Sequence, residues 1–185
     1  VSANASCGKR GSFRKKINMK KIVFITLSLL LAISFWNCEK DDICAEGTPT
    51  TPRVIIEFYD ATNPTVLKNV TNLKVVETSL TDGFGFTGVN KIQVPLRTNS
   101  EETILNFIQN GNDSDTSDDN TDELIFNYAT QEVYISRACG YKMTFQLDAI
   151  DGVVATPDGS NWIQNIEVMQ PNIETENEVH VKIYF

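Results

Sequence analysis

An all-β fold, an antiparallel β-sandwich of about eight strands, is what residues 53–185 predict. Three observations predict it. Short runs rich in Val, Ile, Phe and Tyr recur along the segment. Clusters of Gly, Asp, Asn and Pro separate them. No stretch keeps the apolar period of an amphipathic helix, Asn99–Asn110 being the only debatable one.

Arg53–Asp60 is strongly apolar, which predicts a central strand. Asn72–Leu80 is the second, closed by the turn residues Thr81-Asp82-Gly83. Lys91–Arg97 alternates, with Ile92, Val94 and Leu96 on one face, and Pro95 predicts an edge position or a strand exit. Thr103–Ile108 and Glu123–Ala129 flank a long acidic loop. A tight turn is expected next, then Glu132–Arg137 and, after Ala138-Cys139-Gly140, Tyr141–Ile150. Asp151-Gly152 and Asp158-Gly159 read as turns before Ile163–Met169. In Asn177–Phe185, Val179, Val181, Ile183 and Phe185 alternate with Glu178, His180, Lys182 and Tyr184, a half-buried strand that belongs to the fold. This spacing fits an immunoglobulin-like sandwich, with a small β-barrel as the alternative.

Upstream lies a segment of another kind. Met19, Lys20 and Lys21 precede an unbroken apolar run from Ile22 to Trp36, followed by Asn37-Cys38. Such a run spans roughly 22 Å as a helix, short of the ~30 Å hydrocarbon core of a bilayer. With its cationic start it reads as a secretory signal, residues 19–37, ending at a cysteine that would carry a lipid. Residues 1–18, with five basic residues and no acid, read as an extension outside the native start and are set aside. Phe35-Trp36-Asn37 is a loose match to the usual lipoprotein box, and cleavage after Ala32-Ile33-Ser34 is the alternative.

The cysteines favour lipidation. Of four, Cys7 falls in the excluded extension, and an exported protein is left with Cys38, Cys44 and Cys139. Lipidation of Cys38 removes one and leaves Cys44 and Cys139 as an even pair for a disulfide in an oxidising compartment. A metal or redox site is the rival reading, but there is no CxxC and only one His.

Removing residues 1–37 leaves 148 residues, enough for one domain, 53–185, behind an acidic, Pro-containing tether, 38–52. Nine basic and 24 acidic residues remain, a net charge of −15. A field of that sign argues against nucleic acid as a partner. Directly after Cys38, Lys40-Asp41-Asp42 matches an export signal that places lipoproteins on the outer face of the outer membrane; a periplasm-facing anchor is the alternative.

Candidate chemistry is sparse. Between Asn110 and Glu123 stand Asp113, Asp115, Asp118, Asp119 and Asp122, a possible set of oxygens for Ca²⁺. The EF-hand pattern fails, because Asp118 stands where the turn Gly belongs and Leu124 where the bidentate Glu belongs. Without a cation the carboxylates repel and keep the loop solvated. His180, on the polar side of the last strand, reads as a surface residue; a Ser-His-Asp triad through it would lack a GxSxG elbow. Gly83-Phe84-Gly85-Phe86-Thr87-Gly88 has no phosphate-cradle spacing, and its two Phe either form a binding tip or pack onto the sandwich. Trp162 is expected in the core or at its rim. Gly140, beside Cys139, suggests a bulge or a close backbone approach, and Arg137 and Lys142 are expected to pair with nearby acids.

Cys44-x-x-Gly47-Thr48-Pro49-Thr50-Thr51-Pro52-Arg53, Ser136–Lys142 and Val179-His180-Val181-Lys182-Ile183 together resemble an uncharacterised family of small flavobacterial lipoproteins, a domain of unknown function. The resemblance implies lipidation at Cys38 and pairing of Cys44 with Cys139. It implies no substrate and no catalytic residue. The resulting expectation is a non-enzymatic envelope lipoprotein, bound to the membrane through its lipid and presenting a binding or structural module to an envelope protein or glycan. A carbohydrate-processing hydrolase and a Ca²⁺-dependent adhesion module are the alternatives.

Overall fold

The computed structural model describes residues 19–35 and 43–185. The extension 1–18 and the segment with Cys38, Lys40, Asp41 and Asp42 lie outside the described residues. The chain divides into two units at residues 43 and 44, each described by itself. The first contains helix α1, Met19–Phe35, with Lys20 and Lys21 in its first turn. No described helix is long and apolar enough to cross a membrane.

The second unit is all-β. Its strands are β1 (Val54–Asp60), β2 (Asn63–Leu67), β3 (Leu73–Glu77), β4 (Phe84–Phe86), β5 (Lys91–Val94) and β6 (Glu102–Gln109). They continue with β7 (Asn120–Ser136), β8 (Gly140–Leu147), β9 (Val153–Ala155), β10 (Asn165–Val168), β11 (Asn172–Ile173) and β12 (Val181–Tyr184). One sheet runs β10-β12-β1-β2, with β5 also on β1; the other, curled, runs β11-β8-β7-β6-β3-β4, with β9 on β7. Both sheets contribute to one continuous core.

β1 is central, as its apolar sequence predicts: Val54, Ile56 and Phe58 are fully buried, and both of its edges are paired. Its pairing with β12 is parallel, in the register Ile56↔Val181 to Tyr59↔Tyr184. The other pairings among the described residues are antiparallel. A parallel pair needs a long connection, and strands at opposite ends of the domain have one. β5 is the expected edge strand, and it stops at Val94, where Pro95 has no N–H to donate.

The expected turn between Glu123–Ala129 and Glu132–Arg137 does not exist. β7 runs unbroken for 17 residues and changes partner midway, pairing with β6 along Asn120–Asn127 and with β8 along Tyr128–Ser136. Ala129-Thr130-Gln131-Glu132 is polar because the strand leaves the core there and continues as a hairpin arm. β8 and β9 follow one edge of β7 in succession, separated by Asp148–Gly152.

Trp162 is in the core: it stacks on Phe58 and meets Phe185 edge-on, ring centroids 6.4 and 5.3 Å away, while its Nε1–H donates to the Phe107 carbonyl at 3.1 Å. A closed polar ring locks the β5–β6 connection. The Arg97 N–H donates to Thr103 Oγ1 at 2.9 Å, the Thr103 hydroxyl lies 2.6 Å from that of Tyr128, and Tyr128 donates to the Arg97 carbonyl at 2.8 Å. Each buried polar group in the ring thereby has a partner.

Candidate functional site

The Cys44–Cys139 disulfide is present, with Cα atoms 4.8 Å apart, and it closes a sequence separation of 95 residues. Residues 44–52, expected as tether, are fastened to the hairpin arm. Beyond the disulfide, Thr48 Oγ1 lies 3.6 Å from Cys139 Sγ, and the Met143 N–H donates to Thr51 Oγ1 at 3.0 Å. Arg53 ends the strap with a two-pronged contact on Glu176, its Nε and one terminal nitrogen each 2.8 Å from a carboxylate oxygen. That pair holds the Arg53 pKa up and the Glu176 pKa down, the shared hydrogen bond being the leading cause in both.

The strap leads to the arm's tip. Gly140 has φ +70° and no atom within 4 Å of where a Cβ would stand. It is there for the left-handed turn and not for a close approach. Across that turn Tyr134 and Tyr141 face each other as a T-shaped pair, ring centroids 5.3 Å apart, and both are exposed. Of the two cations expected to pair with acids, Lys142 donates instead to the Glu174 carbonyl at 3.0 Å. Arg137 is exposed and has no ion pair among the described residues.

The acidic loop does not gather its carboxylates. Asp113 accepts the Asp115 N–H at 2.9 Å and the Asn72 amide at 2.9 Å. Asp115 accepts the Ser117 N–H at 3.0 Å and hydroxyl at 2.7 Å, bonds that lower its pKa. Asp118 accepts the Asn110 amide at 3.1 Å, and Asp119 is exposed. Apart from the Asn72 bond, which ties the loop to the residue before β3, these are turn-forming bonds made locally. Among the described residues no group of three or more His, Cys, Asp or Glu side chains is arranged to hold a metal ion.

Asp122 is the clearest departure from that expected set. It lies in β7, fully buried, and its carboxylate accepts the Ile163 N–H at 2.8 Å and the Trp162 N–H at 3.3 Å. It fastens the β9–β10 connection to the core and is unavailable to a cation bound in the loop. Burial raises its pKa, against the pull of the two backbone hydrogen bonds. In sequence it was indistinguishable from its loop neighbours; the following alternation Leu124, Phe126, Tyr128 is the signal that places it on the inward face.

His180 is likewise not on the surface. It is fully buried, its Nδ1 accepts the Ile55 N–H at 2.9 Å, and its backbone N–H donates to the Ile55 carbonyl at 3.0 Å. The ring thus supplies an acceptor at the start of the β1–β12 ladder, while Nε2 is buried with no hydrogen-bond partner among the described residues. Nδ1 cannot hold a proton and still accept from Ile55, so the neutral ring is the native form. Burial lowers the pKa below the usual 6.5, opposed by the nearby Glu178 and Glu176 carboxylates and the Thr175 backbone.

The pH dependence follows from that direction. With the folded pKa depressed, the contribution of His180 to stability is complete above the unfolded value and is lost as pH falls from about 6.5 through the folded value. Thermal unfolding followed from pH 7.5 to 5 is expected to show a falling midpoint, and His180→Asn, which keeps an acceptor for Ile55, to flatten that stretch. A wild-type midpoint constant across this range would contradict the assignment. Asp60, Glu77, Asp148 and Glu176, whose pKa values are lowered by hydrogen bonds, contribute their loss further to the acid side.

Two concavities of the β domain bear on function. An open cleft of about 860 Å³ lies where β7 passes from β6 to β8, its lining mixing Glu101, Glu102, Asn127, Gln146, Asp148 and Asp151 with the apolar Ala129, Leu147, Ala149 and Pro171. Asp148 is committed to the local turn, accepting the Ile150 and Asp151 N–H groups at 2.8 and 3.4 Å. A smaller apolar pocket of about 200 Å³ lies among Val75, Leu80, Phe84, Val94, Leu96 and Leu105. Phe84 is half exposed at its rim, on the edge strand β4, whereas Phe86 packs against the core. The two Phe thus divide between the expected alternatives.

Comparison with curated proteins and with solved structures returned no match to this chain. A family match begins in the connection before β3 and extends through β12, taking in the acidic loop, Asp122, Cys139 and His180 and leaving the strap, β1 and β2 upstream. The chain belongs to that family, a family of unknown function (DUF6452), which matches residues 69–185.

Proposed function

We propose that this protein is a non-enzymatic envelope lipoprotein of flavobacterial type, held in the outer membrane by acyl chains on Cys38 and presenting its β domain to an envelope protein or glycan. The observation that carries the reading is the Cys44–Cys139 disulfide. With those two sulfurs joined and Cys7 in the excluded extension, Cys38 is the cysteine left over, and it directly follows a cationic, apolar leader. The buried polar groups fit a scaffold role, since Asp122, His180, Thr103 and Tyr128 are all engaged with backbone or with one another. Several acyl chains, at ~0.8 kcal/mol per buried CH₂, anchor such a domain stably in a bilayer.

Fractionation of cells tests the anchor. Wild-type protein is expected in the membrane fraction, released only by detergent, and Cys38→Ala in the soluble fraction. Recovery of Cys38→Ala with the membranes would overturn the reading. Substituting Lys40, Asp41 and Asp42 is expected to abolish digestion by protease added to intact cells, the sign of surface display.

A second reading, a carbohydrate-processing enzyme, is favoured by the acidic cleft, where Glu101, Glu102 and Asp151 stand beside the amides of Asn127 and Gln146. Glycosidic hydrolysis requires two carboxyl groups flanking the bond. Turnover of envelope glycan fragments that disappears in Glu101→Gln or Glu102→Gln would establish it; binding without turnover would favour the first reading.

A further inference from the structure

We infer that the tip of the β7–β8 hairpin rests on the lipid surface beside the anchor, with Tyr134 and Tyr141 in the headgroup layer. The inference rests on the proposed acylation of Cys38 and adds to it an orientation and a contact surface.

Reach is the first argument. An unfastened chain from Cys38 to the start of β1 at Val54 could extend about 55 Å. The disulfide removes most of that freedom, because the chain is already bonded to the hairpin tip at Cys44, six residues after Cys38. Six residues extend at most about 20 Å. Cys139 immediately precedes Gly140 in the tip turn, so the part of the domain tied most closely to the acyl chains is this tip. From Thr48 to Thr51 the strap is fastened along the arm, before Arg53 meets Glu176 in the β11–β12 connection, so the attachment point lies at the arm.

The chemistry of the tip is the second argument. Tyr134 and Tyr141 are 59% and 64% exposed, paired across the two strands with no core beneath them. Tyrosine is suited to a membrane interface, where its ring lies among acyl carbons and its hydroxyl remains hydrated. Charge points the same way. From Val133 to Met143 there is no Asp or Glu, while Arg137 and Lys142 are both present. The hairpin segment itself carries +2 in a mature chain of −15, offset in part by Glu46 of the strap, and its two cations stand where phosphate-bearing headgroups would be met. The rest of the surface, with its excess of carboxylates, would be repelled by the same layer.

Ile150 supplies the internal control. It is the most exposed apolar residue of the β domain, at 96%, but it lies beyond the opposite end of β8. The eight residues of that strand put it roughly 25 Å or more from the tip. A contact driven by exposed apolar area alone would use Ile150; a contact set by the anchor uses the tyrosines.

The test uses the full lipidated protein in vesicles of phosphatidylethanolamine and phosphatidylglycerol. A benzophenone photo-cross-linker is placed in turn at positions 134, 141, 150 and 66, all exposed in the wild type. Lipid adducts are expected from positions 134 and 141 at several times the yield from 150 and 66. Equal yields, a preference for position 150, or adducts at the tip with a partner protein in whole cells and none with lipid, would overturn the inference. Replacing both Cys44 and Cys139 by Ser is expected to bring the tip yield down to that of position 150, and an unchanged yield would overturn the role given to the disulfide. The mass of the Cys38 peptide separates the two levels. An unacylated peptide removes the anchor and the orientation together, whereas an acylated one without tip adducts removes the orientation alone.

Discussion

Replacing Cys44 and Cys139 together by Ser is expected to lower the free energy of unfolding by about 4–5 kcal/mol, the chain-entropy value for a loop of 95 residues. In a domain of this size that corresponds to a fall of roughly 10–20 °C in Tm. The variant should still fold at low temperature, because the disulfide lies at the end of the hairpin arm and outside the core cluster. The other strap contacts cannot compensate. Arg53 and Glu176 form a partly exposed ion pair, with side chains 49% and 30% accessible, and pairs of that kind contribute under about 1 kcal/mol. Arg53→Ala alone should therefore shift Tm by no more than a few degrees. Thermal denaturation of wild type with and without reductant, beside the double Ser variant, checks this. Coincident curves would mean that the constraint is not felt in the unfolded chain.

What could be read from sequence was mostly what burial writes into side-chain pattern. β1 and β12 were legible because their apolar residues are dense or strictly alternating, and both lie at the centre of a sheet. The disulfide was legible by counting sulfurs. β2 was not, since all five of its residues are exposed and it is held to β1 by backbone bonds alone. β7 was divided in two for the converse reason: strand pairing persists through Ala129-Thr130-Gln131-Glu132 after the core has ended, and pattern reports the core and not the ladder.

The candidate site shows the same limit. His180 and Asp122 are polar residues at positions where alternation or local charge assigns them to solvent, yet both accept backbone N–H groups in the interior. Alternation with Leu124, Phe126 and Tyr128 places Asp122 inward, but no periodicity encodes the partners, because the N–H groups the two residues satisfy belong to Ile55 and Ile163, far away in sequence. The break between two strands at Ala138-Cys139-Gly140, by contrast, is local and legible, although Gly140 serves a left-handed turn in place of the expected bulge or close approach, and the tyrosine pair across it carried no sequence signal.

Asp122→Ala is expected to cost about 4 kcal/mol, the second large effect. The substitution removes the acceptor for two backbone N–H groups, those of Trp162 and Ile163, in a place water does not reach. Each buried donor left unsatisfied costs about 1–3 kcal/mol. Trp162 stacks on Phe58, so loosening its backbone also loosens the aromatic centre of the core. Asp122→Asn keeps one acceptor oxygen and should cost about 1–2 kcal/mol. The pH dependence of that smaller cost identifies the cause. Burial raises the Asp122 pKa when folded, so its ionisation is worth less in the native state than in the unfolded one. The corresponding stability is present below the ordinary carboxylate value and is lost as pH rises through the folded pKa. Asn has no such dependence. The gap between wild type and Asp122→Asn should accordingly be wider near pH 4 than at pH 7, measured by denaturant unfolding at each pH. A gap that widened toward neutral pH would mean that the two N–H bonds outweigh desolvation and that the carboxylate is held as a charge. In either case Asp122 acts as a pin of the fold, which is why the loop that precedes it cannot count it among ligands for calcium.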